Sequence, residues 1–270
     1  MKQALALCFV MMLALPALAT GLSESTLTVQ PTDPSKATST PPAGPWTGVV
    51  GMGPIAFPRY SGGTATQTWF IPLVSASYAD IAYIEPLLAG FYLWGNDDHT
   101  KGLGVAIEPR LGYSSADGPR LGGVAKRKNS LEGGPTFDWD LGVFQLSVSL
   151  MMDLTGSSRG NSARLYAYRE LITGPALKLG AFAGLDRLGS KTANYFFGVA
   201  PSEAILNRPS FQTGSAINST AGFDGRYRLS ERYSVLFGAQ TYRLGGGLAH
   251  SPIIETRQSA LGWLGLGWNL

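Results

Sequence analysis

The stretch that most constrains this chain is its last eleven residues, Ala260 to Leu270, which read A-L-G-W-L-G-L-G-W-N-L. Leu264, Leu266, Trp268 and Leu270 fall on one parity, and Gly265, Gly267 and Asn269 on the other. Successive side chains of a strand point to opposite faces, so this stretch has one apolar side and one small or polar side. A strand of a soluble β-sandwich can alternate in the same way. An apolar face that carries Trp268 close to the C-terminus matches the closing strand of an outer-membrane barrel. Such a strand meets lipid on one side and the lumen on the other, with aromatics near the interface.

The opposite end of the chain predicts export. Lys2 precedes the apolar run Ala4 to Leu15, and Ala17-Leu18-Ala19 forms a small-x-small cleavage site. Residues 1–19 therefore read as a signal peptide that removes the sole cysteine, Cys8. The apolar run is too short to span a bilayer, and no later segment has about 18 uninterrupted apolar residues. Residues 20–45 hold Pro31, Pro34, Pro41, Pro42 and Pro45 amid Ser and Thr. So few large apolar groups cannot offset the entropy of ordering the chain, so this segment reads as a disordered linker. Fully extended, it would reach about 85 Å.

Residues 46–270 read as one all-β domain, an antiparallel transmembrane β-barrel. Phe144, Leu146, Val148, Leu150, Met152 and Leu154 alternate with Gln145, Ser147, Ser149, Met151 and Asp153. Further candidate strands are 46–57, 68–78, 81–94, 102–114, 130–141, 163–171, 175–188, 216–229 and 232–244, with no convincing amphipathic helix. These make eleven, whereas bacterial single-chain barrels have an even number. Twelve is the expectation and ten the alternative, with the missing boundary placed between Ile81 and Ser114, where Pro86 interrupts the pattern. The joins 141–143, 171–175 and 229–232 are short, and 155–162, 189–215 and 245–257 are long. This alternation matches short periplasmic turns and longer outer loops.

Charged residues occupy the faces opposite the apolar ones. Glu108 pairs in parity with Arg110, Asp138 with Asp140, Lys178 with Asp186, and Asp224 with Arg226 and Arg228. A basic residue facing mid-bilayer would cost about 2–4 kcal/mol, so these side chains are expected to line the lumen. Their mixed signs favour bridging across the interior over a filter of one sign. The formal charge of +3, with only Lys126-Arg127-Lys128 as a basic run, gives no reason to expect nucleic acid. That run is expected to meet solvent or the phosphates of lipopolysaccharide.

Three elements, in order, carry a family resemblance. Pro58-Arg59-Tyr60-Ser61-Gly62 resembles the early P-x-Y-x-G of the MipA/OmpV family of outer-membrane barrels. Tyr195-Phe196-Phe197-Gly198-Val199 resembles its Y-F-G-V segment, with Phe197 as an extra residue. Arg243-Leu244, Ala249 and Ser251-Pro252-Ile253-Ile254 resemble its R-L…A-x-S-P-I-V element, and Pro72-Leu73 corresponds to a proline-leucine pair in its second strand. The long proline-rich segment and the terminal Leu270 depart from the family pattern. The resemblance implies a non-enzymatic protein: a scaffold for murein synthesis and hydrolysis enzymes, or a porin-like channel or surface adhesin. Its partners would be outer-membrane lipid, lipopolysaccharide and periplasmic murein-processing enzymes. Tyr195 to Val199 is expected to fold over the barrel mouth as an apolar plug, and Ser251-Pro252 to fix a turn.

A lipid-modifying enzyme embedded in the barrel is the competing class. Acyl-transfer chemistry needs a nucleophile, a base and an orienting group within hydrogen-bond reach. The chain has only His99, in a polar turn, and His250, beside Ser251. No cofactor is implied, and two histidines among scattered carboxylates lack the ligand spacing that zinc requires.

Overall fold

The structure, a computed structural model, describes residues 45–79, 81–96 and 100–270. The expected signal peptide, the linker up to residue 44 and His99 lie outside the described residues. Twelve antiparallel strands close into a barrel. In chain order they are β1 (Trp46–Pro58), β2 (Thr66–Tyr78), β3 (Ala82–Glu85), β4 (Leu88–Gly95), β5 (Lys101–Arg110) and β6 (Ser130–Asp140). They continue as β7 (Gln145–Asp153), β8 (Asn161–Thr173), β9 (Leu177–Leu188), β10 (Ala216–Arg228), β11 (Tyr233–Arg243) and β12 (Gln258–Asn269). Each strand pairs with its sequence neighbour, and β1 pairs with β12 to close the seam.

The alternation that suggests the barrel is realised in three dimensions. Leu264 and Leu266 are each 54% exposed on the outer wall, whereas Gly265 and Gly267 are buried. Leu150 and Met152 of β7 are exposed in the same way, while Met151 between them is buried. The exterior is thus an apolar surface suited to hydrocarbon, and the closed ladder leaves few backbone groups unpaired. Aromatics cluster where the short turns lie. Trp46 meets Tyr78 edge-on at 5.1 Å, and Tyr233 meets Trp268 at 5.2 Å. Arg232 and Lys101 sit over Trp268 and Trp139 at 5.8 and 5.2 Å. This is the girdle expected at a membrane–water boundary.

The missing strand boundary falls at Pro86, as expected, and one loop departs from expectation. The single candidate strand 81–94 is two strands, β3 and β4, reversed at Pro86-Leu87, which raises the count from eleven to twelve. The loop between β9 and β10 contains a helix, α1 (Ser190–Phe197), where none was expected. Prolines also mark two breaks in the ladder. Pairing between β1 and β12 skips Gly53-Pro54, and pairing between β6 and β7 skips Gly134-Pro135. Proline has no N–H to give. At Gly134 the neighbouring strand comes so close that a Cβ would lie 1.9 Å from the Leu150 carbonyl oxygen.

The long connections 59–65, 111–129, 154–160, 189–215 and 244–257 all leave one end of the barrel. Apart from the tight turn at Pro86-Leu87, which reverses β3 into β4 on the loop side, the short turns and both ends of the barrel domain lie at the other. In a bacterial outer-membrane barrel the short-turn end faces the periplasm.

Candidate functional site

Four of the long loops fold inward and pack on one another over the loop end. The β1–β2 loop contributes Tyr60, the β5–β6 loop Tyr113, Leu121 and Val124, and the β11–β12 loop Leu248, Ile253 and Ile254. The β9–β10 loop adds Phe196, Phe197 and Val199, with α1 presenting Thr192, Ala193, Phe196 and Phe197 on its buried side. Residues three or four apart share one face of a helix, which is why these can enter the cluster together.

Hydrogen bonds tie the loops to one another. The Tyr60 hydroxyl lies 2.9 Å from the Ile253 carbonyl oxygen and 2.8 Å from Glu255 Oε1. Tyr113 donates to the Phe196 carbonyl at 2.6 Å, and Ser251 Oγ to the Phe197 carbonyl at 2.6 Å. Arg120 reaches the Ile254 carbonyl, while buried Arg208 donates to the carbonyls of Arg120, Gly122 and Glu203 at 3.0, 2.7 and 2.8 Å. Gly62 has φ +89°, and a Cβ there would lie 2.3 Å from Ile254 Cδ1, so both conformation and space call for glycine.

The electrostatic centre of this stopper is Glu203. Both its oxygens accept from the Arg127 guanidinium at 2.9 Å, and they also accept from the Ala125 and Ala200 N–H groups at 2.9 Å. Burial pushes the carboxyl up, but these four donors outweigh it and hold its pKa at about 2. Arg127, whose pKa burial would lower, is held above its ordinary value by the same contact. Arg127 therefore does not belong to a solvated basic run. Lys126 and Lys128 on either side are exposed, and Arg127 turns inward. Glu255, which burial would raise, is brought below its usual value by hydrogen bonds from Thr64 and Tyr60.

Beneath the stopper, a charged layer crosses the lumen. Arg110 makes a two-pronged contact with Glu132, Nε to Oε1 at 2.6 Å and Nη2 to Oε2 at 3.0 Å. Arg164 bridges Glu108 and lies 3.6 Å from both Glu132 and Asp186, and Ser162 donates to Glu132 at 3.0 Å. Arg110 lies 3.8 Å from Asp186. Glu132 is 0% exposed. A second apolar cluster inside the barrel joins Ile55, Phe57, Leu73, Leu111, Leu261 and Trp263.

Below this layer the lumen widens into a cavity of about 880 Å³. It reaches Ala79, Asn96 and Gly142 at the short-turn rim. Glu85, Tyr83, Tyr168, Asp224 and Trp263 are among the residues of its walls.

The expected lumen charges divide between these regions. Glu108, Arg110 and Asp186 are in the buried layer. Asp138, Asp140, Lys178, Asp224 and Arg226 line the cavity. Arg228, the last residue of β10, is exposed. Tyr92 donates to Asp138 at 3.1 Å, and Arg226 donates to Ser234 and Asn269 at 3.1 and 2.9 Å. Glu132 and Arg164 escape the sequence reading, although each shares parity with a polar neighbour, Ser130 and Ser162. Tyr113, Arg120, Glu203 and Arg208 also escape it, because contacts between loops leave no periodic trace.

Apart from Pro72-Leu73, which lies within β2, the motif residues lie in or beside the stopper. Pro58 ends β1, Gly198 closes α1 by donating to the Asn194 carbonyl, and Val199 exchanges hydrogen bonds with Phe211. Tyr195 packs edge-on against Phe196 at 4.9 Å. The Ile254 N–H closes a turn on the Ser251 carbonyl, with Pro252 and Ile253 between them. His250 is exposed, whereas Ser251 is buried with its hydroxyl on Phe197, so the two are not aligned as base and nucleophile. Among the described residues, no group of three or more His, Cys, Asp or Glu is placed to hold a metal ion.

Comparison with known proteins follows the same lines. The family model described as MltA-interacting protein MipA matches residues 50–270. Outer membrane protein OmpV of Vibrio cholerae serotype O1 is 27% identical over 175 residues, 64% of this chain and 66% of that protein. Outer membrane protein Omp26La of Vibrio anguillarum is 26% identical over 175 residues, with the same shares. The chain thus spans 66% of the length of each of these relatives. Among solved structures, a NanC porin is similar with a TM-score of 0.43 at 12% identity, covering 82% of this chain and 100% of that one.

Proposed function

Because this chain belongs to the MltA-interacting protein MipA family, we propose that it is a closed, non-enzymatic outer-membrane barrel that anchors a murein-processing enzyme at its periplasmic end. The protein resides in the outer membrane, as do its relatives OmpV and Omp26La. The observation that carries the proposal is the sealed loop end. Phe196 and Phe197 are each 1% exposed within the stopper, and the charged layer lies across the lumen beneath them. A barrel shut in this way offers solutes no wide path, which leaves its short-turn end as the surface available for work in the periplasm. The family's printed description, an MltA-interacting protein, supplies the class of partner.

Two measurements test the reading together. Crosslinking in intact cells, followed by identification of attached proteins, should recover a murein hydrolase or synthase. Purified protein in planar bilayers should give no steady conductance. Recovery of no envelope enzyme, combined with a stable open-channel current, would replace the anchor with a porin.

A further inference from the structure

We propose that the short-turn cavity is a binding site for a small organic cation bearing primary ammonium or guanidinium groups. The starting point is Glu85 on β3. It is 4% exposed, and one carboxylate oxygen accepts from Ser75 Oγ at 3.2 Å. The other, Oε2, is buried and has no hydrogen-bond partner, and the residue lines the cavity. Asp224 on β10, five strands away around the barrel, likewise presents a buried Oδ1 without a partner. Buried polar groups in folded proteins are nearly always paired, and each exception calls for an explanation. Here two residues that line one cavity each keep a buried carboxylate oxygen without a donor.

The layer above sets arginines within ion-pair distance of its carboxylates: Arg110 and Arg164 lie between Glu108, Glu132 and Asp186. The cavity lacks that arrangement around Glu85. Its arginine, Arg226, is bonded to Ser234 and Asn269 instead. Lys101 lies over the Trp139 ring. Glu170 and Asp140 add further negative charge to the walls, against Lys178 on β9. The missing donors are therefore those of a guest.

The remaining lining fits an organic cation better than a bare ion. Tyr83, Tyr168 and Trp263 give the walls aromatic surface, and ring faces attract ammonium and guanidinium groups. A volume of about 880 Å³ suits a small molecule, within the roughly 300–1,000 Å³ range usual for such sites. The cavity opens at the periplasmic rim, so a guest would enter from the periplasm. The inference concerns the lumen alone and does not depend on which protein the barrel anchors.

Titration calorimetry on the purified barrel in detergent micelles, at low salt, tests the site with putrescine as the probe. 1,4-Butanediol is the neutral counterpart of the same length. Saturable heat with putrescine and none with butanediol is the expected result. Glu85→Gln and Asp224→Asn should each weaken putrescine binding at least tenfold, and Glu231→Gln in the exposed β10–β11 turn should leave it unchanged. The diol comparison uses unaltered protein, so it decides the matter even where a variant fails to assemble. Equal heats for the two probes, no heat with putrescine, or undiminished binding in either folded variant would overturn the proposal. None of these outcomes bears on recovery of a crosslinked envelope enzyme.

Discussion

Glu203 shows how single side chains set the behaviour of the stopper. Its pKa lies at about 2 in the folded protein, against an ordinary value near 4.5. A carboxyl with a depressed folded pKa contributes its stabilisation in full above the ordinary value, and loses it as the pH falls towards the folded one. The β9–β10 loop should therefore loosen between pH 4.5 and pH 2, measurable as rising pepsin cleavage within residues 198–211. Glu203→Gln should be cleaved readily across that whole range. Arg164 makes a second case. Arg164→Met leaves Glu108 and Asp186 short of a partner in the interior, and removing one member of a buried pair costs about 3–5 kcal/mol. Urea unfolding in micelles should show that loss, and the double change Arg164→Met with Glu108→Leu should recover part of it. The strand charges Glu108 and Asp186 were legible from parity alone. Arg127 was not, because three adjacent basic residues look alike in sequence, and only the fold brings Glu203 to the middle one.

Whole strands were the most readable features, because alternation repeats over ten or more residues and a membrane imposes it strictly. β7 and β12 lie within a few residues of their expected bounds. The reversal at Pro86-Leu87 was marked only by Pro86 itself, since apolar residues continue on both sides of it and the turn adds no polar spacer. α1 was hidden: eight residues make little more than two turns, too few for a helical period to stand out. The ladder breaks give a test at this scale. Gly134→Val would force a side chain against the Leu150 carbonyl, which lies 1.9 Å from a Cβ at that position. The variant should assemble poorly, seen as loss of the compact, heat-modifiable band on SDS gels. Leu266→Arg, on the lipid face, should cost about 2–4 kcal/mol of barrel stability if it sits near mid-bilayer. The same substitution at exposed Leu206 in the outer loop should change it little.

Taken whole, the molecule is a barrel shut at one end and hollow at the other, and its permeability follows from that asymmetry. Replacing Phe196 and Phe197 together with Ser removes two large buried side chains, at about 3–5 kcal/mol each by analogy with aromatic truncations. Liposomes carrying the variant should swell faster in small sugars than those carrying the unaltered protein. An unchanged rate would mean that the charged layer alone keeps the lumen shut. The tie from Tyr60 to Ile253 and Glu255 joins residues 193 and 195 positions apart, one just after the first strand and the others just before the last. It can form only when the first and final hairpins have met, so the newly inserted cylinder stays leaky until its two free margins zip together. Protease protection of residues 244–257 should consequently arrive last during refolding, after the wall itself has become resistant.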